Sequence, residues 1–243
     1  MSVNNFYAAN VRNGLVLLLD SCRKESYNRV GTSWNDISYV RSGGTLTNFS
    51  SPSSQTIWNG SDGSIIFDGT DDYVDLGINN NLLSFGTNPF TINLWINPTC
   101  ANDGFNHTLL SNYINIDSGF STYFLLAVYN SFGVLFLNPG GGFVNNLSTS
   151  ISVPVSNNTW SNVCFTKDAN TYTSYFNGTQ IKTVTSVGLN WSGVGRVSKI
   201  GGGVSGTVSN YSGKLELLSI YNRALSTSEV LQNYNSFKGR FGL

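Results

Sequence analysis

The stretch GKLELLSIYNRALSTSEVLQNYN, residues 213–235, decides how the rest of the chain is read. Its first half, LELLSIY at 215–221, is a mostly apolar run of the length of one buried strand. Tyr221-Asn222-Arg223 forms a tight exit. Ser226 and Glu229 then spell S-x-x-E, a capping box in which each side chain satisfies a free amide of the first helical turn. The helix that follows is short. Upstream, strand-like segments recur between Gly, Asn, Asp and Pro clusters, and helical periodicity is nearly absent before Ser226. The expectation is an all-β domain whose last strand leads into one small helix.

Moving outward from this end, GLVLLLD at 14–20 is a solid apolar run, as a strand buried on both faces would be. Residues 64–68 and 73–76 flank Asp68-Gly69-Thr70-Asp71, which reads as a hairpin turn between two strands. Residues 90–97 alternate, with Phe90, Ile92, Leu94 and Ile96 on one face and Thr91, Asn93, Trp95 and Asn97 on the other. Pro98 ends that strand by removing a ladder donor. Segments 108–116, 123–129 and 133–137 read as successive antiparallel strands. Residues 160–168 and 172–177 form a hairpin, and Asn177-Gly178 turns the chain into 180–184. A short strand at 199–203 opens a glycine-rich loop, and further short strands fall around Trp34 and Thr45 in the loop-rich 26–63 region. The chain divides into an N-terminal arm (1–13), a β-sandwich (14–235) and a basic, aromatic tail SFKGRFGL (236–243) outside the expected core.

A length of 243 residues suits a single β-sandwich. Charged residues make up 11% of the chain, less than half the usual share of roughly 25%, so Asn, Ser, Thr and Gly fill the surface. Thirteen basic and thirteen acidic residues cancel, and the basic ones are scattered. That pattern argues against a nucleic-acid partner, which demands a clustered basic footprint. No apolar run approaches the length of a membrane span. The N-terminus lacks a basic n-region and an apolar h-region, so the expectation is a cytoplasmically made protein with Cys22, Cys100 and Cys164 reduced.

The residues that could carry chemistry are few. Glycoside hydrolysis needs two carboxyl groups flanking the scissile bond. The only glutamates are Glu25, Glu216 and Glu229; Glu229 is taken by the capping box, and Glu216 has no acidic neighbour two residues on. His107, the one histidine, reads as a loop residue with no nucleophile elbow nearby. Gly140–Gly142 and Gly201–Gly203 are not followed by Lys-Ser/Thr, so neither is a P-loop. The reading is a non-enzyme that needs no cofactor. Asp68 and Asp71 are the candidate ligands for a Ca²⁺ ion, with Asp72 and Asp75 close by in sequence. Alternation along 72–75 sends Asp72 and Asp75 to opposite faces, so the four carboxylates do not all converge. For sugars, which dock on aromatic faces and bond amides, the candidates are Phe105, Phe143 with Asn145, Trp191 and Tyr211, all expected in loops.

Five segments in this order are GLVLLLD, FDGTDDYVDLG (67–77), FTINLWINP (90–98), TWSNVCFTKDANTYTSYFNGTQI (159–181) and KLELLSIYNRALSTSEVLQNYN. Together they resemble the laminin-G-like domain of the concanavalin A-like lectin/glucanase group. The resemblance implies a two-sheet antiparallel jelly-roll β-sandwich with one short C-terminal helix. It carries over no catalytic residue, because the FDG segment and the Y-N-R-A-L-S-x-x-E ending are structural in such domains, and the E-x-D-x-x-E of their glucanases is missing. The form is also similar to virion proteins of tailed bacteriophages, in which the domain starts near N-G-L-V, here 13–16, and ends in a K/R-G-R-F/Y-G-like tail, here 238–243. The busier 20–63 region departs from that form. The resemblance implies a virion structural protein, a capsid decoration or fibre component made in the host cytoplasm. Other virion proteins, such as capsid or fibre subunits, would be its partners, with homo-oligomerisation an option, and Phe237, Lys238, Arg240, Phe241 and Leu243 would be assembly contacts. The alternative is a carbohydrate-binding module adsorbing to cell-surface glycans, and the third reading is a glycoside hydrolase using Glu216.

Overall fold

The structure is a computed structural model and describes residues 10–49, 57–78, 82–116, 119–129, 133–137, 152–185, 197–202 and 208–243. Along the chain the strands are β1 (Leu15–Asp20), β2 (Ser33–Trp34), β3 (Gly44–Thr47), β4 (Ile65–Asp68), β5 (Tyr73–Ile78), β6 (Phe90–Pro98), β7 (Asn106–Ile116) and β8 (Gly119–Tyr129). They continue with β9 (Gly133–Leu137), β10 (Ser161–Asp168), β11 (Thr171–Phe176), β12 (Thr179–Thr185), β13 (Val197–Ile200), β14 (Val208–Asn210) and β15 (Ser212–Tyr221), followed by helix α1 (Thr227–Phe237) and a 3-10 turn at Lys238–Arg240. One sheet runs β1-β15-β6-β10-β11-β12, with β4 also on β15; the other runs β2-β3-β5-β13-β7-β8-β9, with β14 on β7. Pairing among the described strands is antiparallel except for β14 on β7, which is parallel.

The alternation along β6 separates two cores. Phe90, Ile92, Leu94 and Ile96 point between the sheets, where they meet Leu17, Leu19, Trp34, Val74, Leu110, Leu126, Ile200 and Leu218. Trp95 points the other way, into a second cluster with Leu18, Cys164, Tyr175, Leu217 and Tyr221, closed over by Val230 and Phe237 of α1. A β-sheet normally leaves one face of such a strand to solvent. Here α1 covers it, which is why eight of the nine β6 residues are buried.

The FDGTDD segment departs from the hairpin expectation. β4 pairs with β15 in one sheet, whereas β5 pairs with β3 and β13 in the other. The turn at 68–72 therefore carries the chain across from sheet to sheet. Asp68 Oδ1 accepts the Thr70 amide at 2.7 Å, and Gly69 takes φ +80°, so the corner is built from the same residues a hairpin would use. The Asn177-Gly178 turn does form a hairpin, between β11 and β12, with both residues at positive φ. A Cβ on Gly178 would lie 2.8 Å from the Tyr234 ring, so the glycine also lets α1 sit on the turn.

At the start of α1, Ser226 Oγ accepts the Glu229 amide and Glu229 returns to the Ser226 amide, the capping box read from the sequence. Arg223 adds a two-pronged ion pair to Glu229, at 2.8 and 2.6 Å. The Arg223 hydrogen bonds hold the Glu229 carboxyl down at about 2.

Residues 236–243 are not a free tail. Phe237 is buried, and Phe241 stacks on Trp95 with ring centroids 4.1 Å apart and tilts against Trp160 at 4.6 Å. Arg240 reaches two fully buried carboxylates, Asp20 at 3.1 Å and Glu216 at 2.5 Å. The arm's end at 10–13 joins the same layer: the Val11 amide donates to Asn233, and the Tyr221 hydroxyl donates to Val11 O. No helix among the described residues is long and apolar enough to cross a membrane.

Candidate functional site

Three stretches meet at one end of the sandwich: the sheet-to-sheet crossing at 68–72, the loop that enters β7, and the run from β14 into β15. Asn210 Nδ2 donates to Thr70 O at 2.6 Å, tying β14 to the crossing. The Thr99 amide donates to Ser212 O at 2.9 Å, and the Cys100 thiol donates to the same oxygen. His107 is the hub. It lies on β7 and is buried, not in a loop as the sequence reading had it. Its Nε2 faces Asp103 Oδ1 and Ala101 O, each at 3.2 Å, and its Nδ1 faces Asn210 O at 3.3 Å. One imidazole thus joins the 101–103 loop to β14 across the strand between them. The parallel β14 that receives it was not visible in the sequence.

On this frame stand two partly exposed aromatics, Phe105 at 39% and Tyr129 at 38%. Phe105 directly precedes Asn106, which pairs with Tyr129 across β7 and β8. Asp103 sits at the same edge and accepts the Phe105 amide at 3.0 Å, fixing the backbone beneath that ring. An exposed aromatic ring beside carboxylate and amide groups is the arrangement that takes a sugar, whose C–H face is apolar and whose hydroxyls need acceptors. Tyr129 was missed in the sequence because it ends a strand; its pairing with Asn106, the residue after Phe105, brings it to this end of the sandwich.

The remaining sugar candidates fare differently. Tyr211 is 0% exposed: its hydroxyl donates to Lys214 O, and its ring meets Phe67 edge-on at 5.8 Å. It is a core residue under the rim, because β14 and β15 abut there with no loop between them. Phe143, Asn145 and Trp191 lie outside the described residues.

Asp68, Asp71 and Asp72 bring carboxylate oxygens within 4.8 Å of one another at the crossing. Asp68 and Asp71 are exposed and Asp72 is buried, its Oδ2 accepting the Asp68 amide at 2.9 Å. Burial, reinforced by the two neighbouring carboxylates, lifts the Asp72 carboxyl to about 6. Asp75 stands apart on β5, paired across strands with Lys199 and Thr45. A hard divalent cation bridging the three would use the oxygen donors it prefers, with Asp72 as the ligand that the sequence reading had left out.

The carboxyl pair that does come together, Asp20 and Glu216, is sealed. Both are fully buried beneath Arg240, and burial raises the Glu216 carboxyl above its ordinary range against the pull of that guanidinium. Phe237, Arg240 and Phe241, expected from the sequence as assembly contacts, make contacts within the chain, Phe237 buried and the other two half-buried. Lys238 stays near the surface with its ammonium 5.5 Å from the Tyr234 ring, and Leu243 is exposed.

A family model for the concanavalin A-like lectin/glucanases superfamily matches residues 68–231. No curated protein matches the chain. Among solved structures, domain 4 of AbnA, a GH43 extracellular arabinanase from Geobacillus stearothermophilus in complex with arabinotriose, is similar over 92% of this chain and 100% of that one. Its TM-score is 0.63 and its identity 16%. Trypanosoma rangeli sialidase in complex with sialic acid gives a TM-score of 0.60 at 17% identity, over 93% of this chain but 33% of the sialidase, so the chain spans about a third of that enzyme. The binding domain of botulinum neurotoxin serotype D/C VPI 5993 gives 0.61 at 14% identity, over 92% of this chain and 52% of that one. At these identities the structures speak for the fold alone. With the two-sheet sandwich, its crossing corner and the capped C-terminal helix all in place, the family match over residues 68–231 means that the chain belongs to the concanavalin A-like lectin/glucanases superfamily.

Proposed function

We propose that the chain is a non-catalytic carbohydrate-binding module, with the rim formed by Phe105, Tyr129, Asp103 and the 68–72 crossing as its glycan-facing surface. The observation that carries this reading is the exposed Phe105 ring, its backbone fixed through Asp103 on the His107 hub, beside exposed carboxylates and with exposed Tyr129 at the same end of β7 and β8. The lack of a catalytic role is supported by the fate of the three glutamates. Glu216 is buried under Arg240, Glu229 is locked by Arg223 and the helix start, and Glu25 pairs with Arg23 on the surface. The test is a glycan array with the whole chain. Saturable binding to a defined glycan, lost in Phe105→Ala and Tyr129→Ala, supports the rim. Product release from a polysaccharide would overturn the non-catalytic reading.

A second reading concerns the setting, a tailed-phage virion in which the module decorates the capsid or forms part of a fibre. It rests on the resemblance of the two end segments, N-G-L-V at 13–16 and the KGRFGL tail at 238–243, to virion proteins of tailed bacteriophages. Reconstruction of a native particle containing the protein tests it. Density for this sandwich on the shell or a fibre supports the reading, and its absence from purified particles overturns it.

A further inference from the structure

Away from the rim, the chain between β2 and β3 makes a second built feature. Asp36 is buried, and its carboxylate gathers the loop around itself. Oδ1 accepts the Leu18 amide at 2.8 Å and the Ser38 amide at 2.7 Å; Oδ2 accepts the Ser38 hydroxyl at 2.7 Å and the Ser42 amide at 2.9 Å. The Ile37 amide donates to Leu18 O, so the loop also covers the outer edge of β1. The result is a fixed loop whose tip carries Tyr39, 84% exposed, followed by Val40 and by Arg41 at φ 59°. Left-handed backbone at a long-chained residue is uncommon and persists where the surroundings impose it.

Two hollows meet at this loop. One, of about 280 Å³, is lined by Arg12, Ile37, Ser38, Tyr39 and Arg41. The other, of about 480 Å³, shares Ile37, Ser38 and Arg41 and adds Asn35 and Glu25. A surface that is poor in charge thus places Arg41 and one open aromatic ring around a single concavity. Neither half of the chemistry suffices alone. A simple anion has no use for the Tyr39 ring, and a neutral sugar has no use for the guanidinium. A sugar bearing a carboxylate uses both: its C–H face lies on Tyr39, its carboxylate takes planar, two-pronged bonds from Arg41, and Asn35 in the adjoining hollow meets its hydroxyls. Glu25 in the adjoining hollow disfavours a second acidic residue directly beside the first.

We propose that the 36–42 loop is a binding site for a carboxylated saccharide unit, separate from the rim and independent of it. The probes are trigalacturonic acid against its methyl ester, and 3′-sialyllactose against lactose. Each pair differs by the charged unit and separates uronic from sialic sources. By titration calorimetry of the whole chain at low salt, at least one acidic probe binds at least tenfold more tightly than its neutral counterpart. That binding weakens at least tenfold in Tyr39→Ala and in Arg41→Gln, and fades as salt is raised. Phe105→Ala leaves it unchanged, which keeps this result distinct from any at the rim. Tyr39 and Arg41 are tip residues, and melts matching the parent's show that the variants are folded. The site is overturned if neither acidic probe binds, if the neutral partners bind equally well, or if Arg41→Gln weakens binding while Tyr39→Ala does not, since that would leave only a non-specific anion contact.

Discussion

Asp72 shows how a single side chain couples the crossing at 68–72 to pH. Its carboxyl sits at about 6 in the folded chain, against roughly 3.9 for an ordinary Asp. The folded state therefore holds that proton more tightly than the unfolded state does. The stability this contributes is complete below about pH 4 and is lost as pH rises through about 6. Asn in its place removes the penalty while keeping an oxygen to accept the Asp68 amide. We expect Asp72→Asn to be more stable than the parent by about 1–2 kcal/mol at pH 7.5, with the difference vanishing near pH 4. Thermal melts across that range measure it; a variant equally or less stable at pH 7.5 contradicts the assignment. The same pair of proteins tests the cation. If calcium bridges Asp68, Asp71 and Asp72, millimolar CaCl₂ raises the parent's melting temperature and leaves Asp72→Asn where it was. At the other end of the chain, Arg240→Ala leaves Asp20 and Glu216 buried without their counter-charge, and the expected loss is about 3–5 kcal/mol in urea unfolding.

At the scale of elements, the closing layer over Trp95 is where the sequence was least transparent. The strands, the capping box and the Asn177-Gly178 hairpin were legible because alternation, S-x-x-E and N-G are local signals. The layer depends on partners far apart in sequence. Glu216 is the extra residue of a bulge in β15: Leu215 faces Ile96 and Leu217 faces Trp95, so Glu216 and Leu217 both turn outward. Simple alternation cannot foresee that, nor that Asp20 from β1 arrives beside it. A usable signal for the tail did exist. Val230, Tyr234, Phe237 and Phe241 keep helical spacing across the boundary at 235, and Gly239 disguised the continuation. For the proposed rim, Asp68, Asp71 and Phe105 were already candidates by type and spacing, whereas Tyr129 and the His107 hub required the β7–β8 register and β14. The tail's burial sets a clear expectation. Phe241→Ala gives up its stacking on Trp95 and its tilted contact with Trp160, at about 2–4 kcal/mol. Removing residues 236–243 destabilises the whole domain instead of yielding a folded, tail-less module, and a melt of the truncated chain matching the parent's would refute this.

Across the whole molecule, the sheet containing β6 and β15 is a wall shared by two cores. Ile92, Leu94, Leu218 and Ile220 project from it into the space between the sheets, while Trp95, Leu217 and Tyr221 project under α1. Neither core can loosen without disturbing strands that the other also uses. The two cores should therefore melt together, and damage to the outer one should reach the inner one. Phe241→Ala tests this because it touches only the outer layer. Near-UV circular dichroism, dominated by packed aromatics such as Trp95 and Trp34, should move to a lower melting temperature together with the far-UV signal, in a single shared transition. Two separated transitions would mean that α1 and the tail form a detachable cover, free to open while the sandwich stays folded. A single transition makes the cover part of the fold. The two surfaces proposed to bind glycans, the rim and the 36–42 loop, are then separate from the cover, and any glycan binding measured at 25 °C for folded Phe241→Ala should match the parent's.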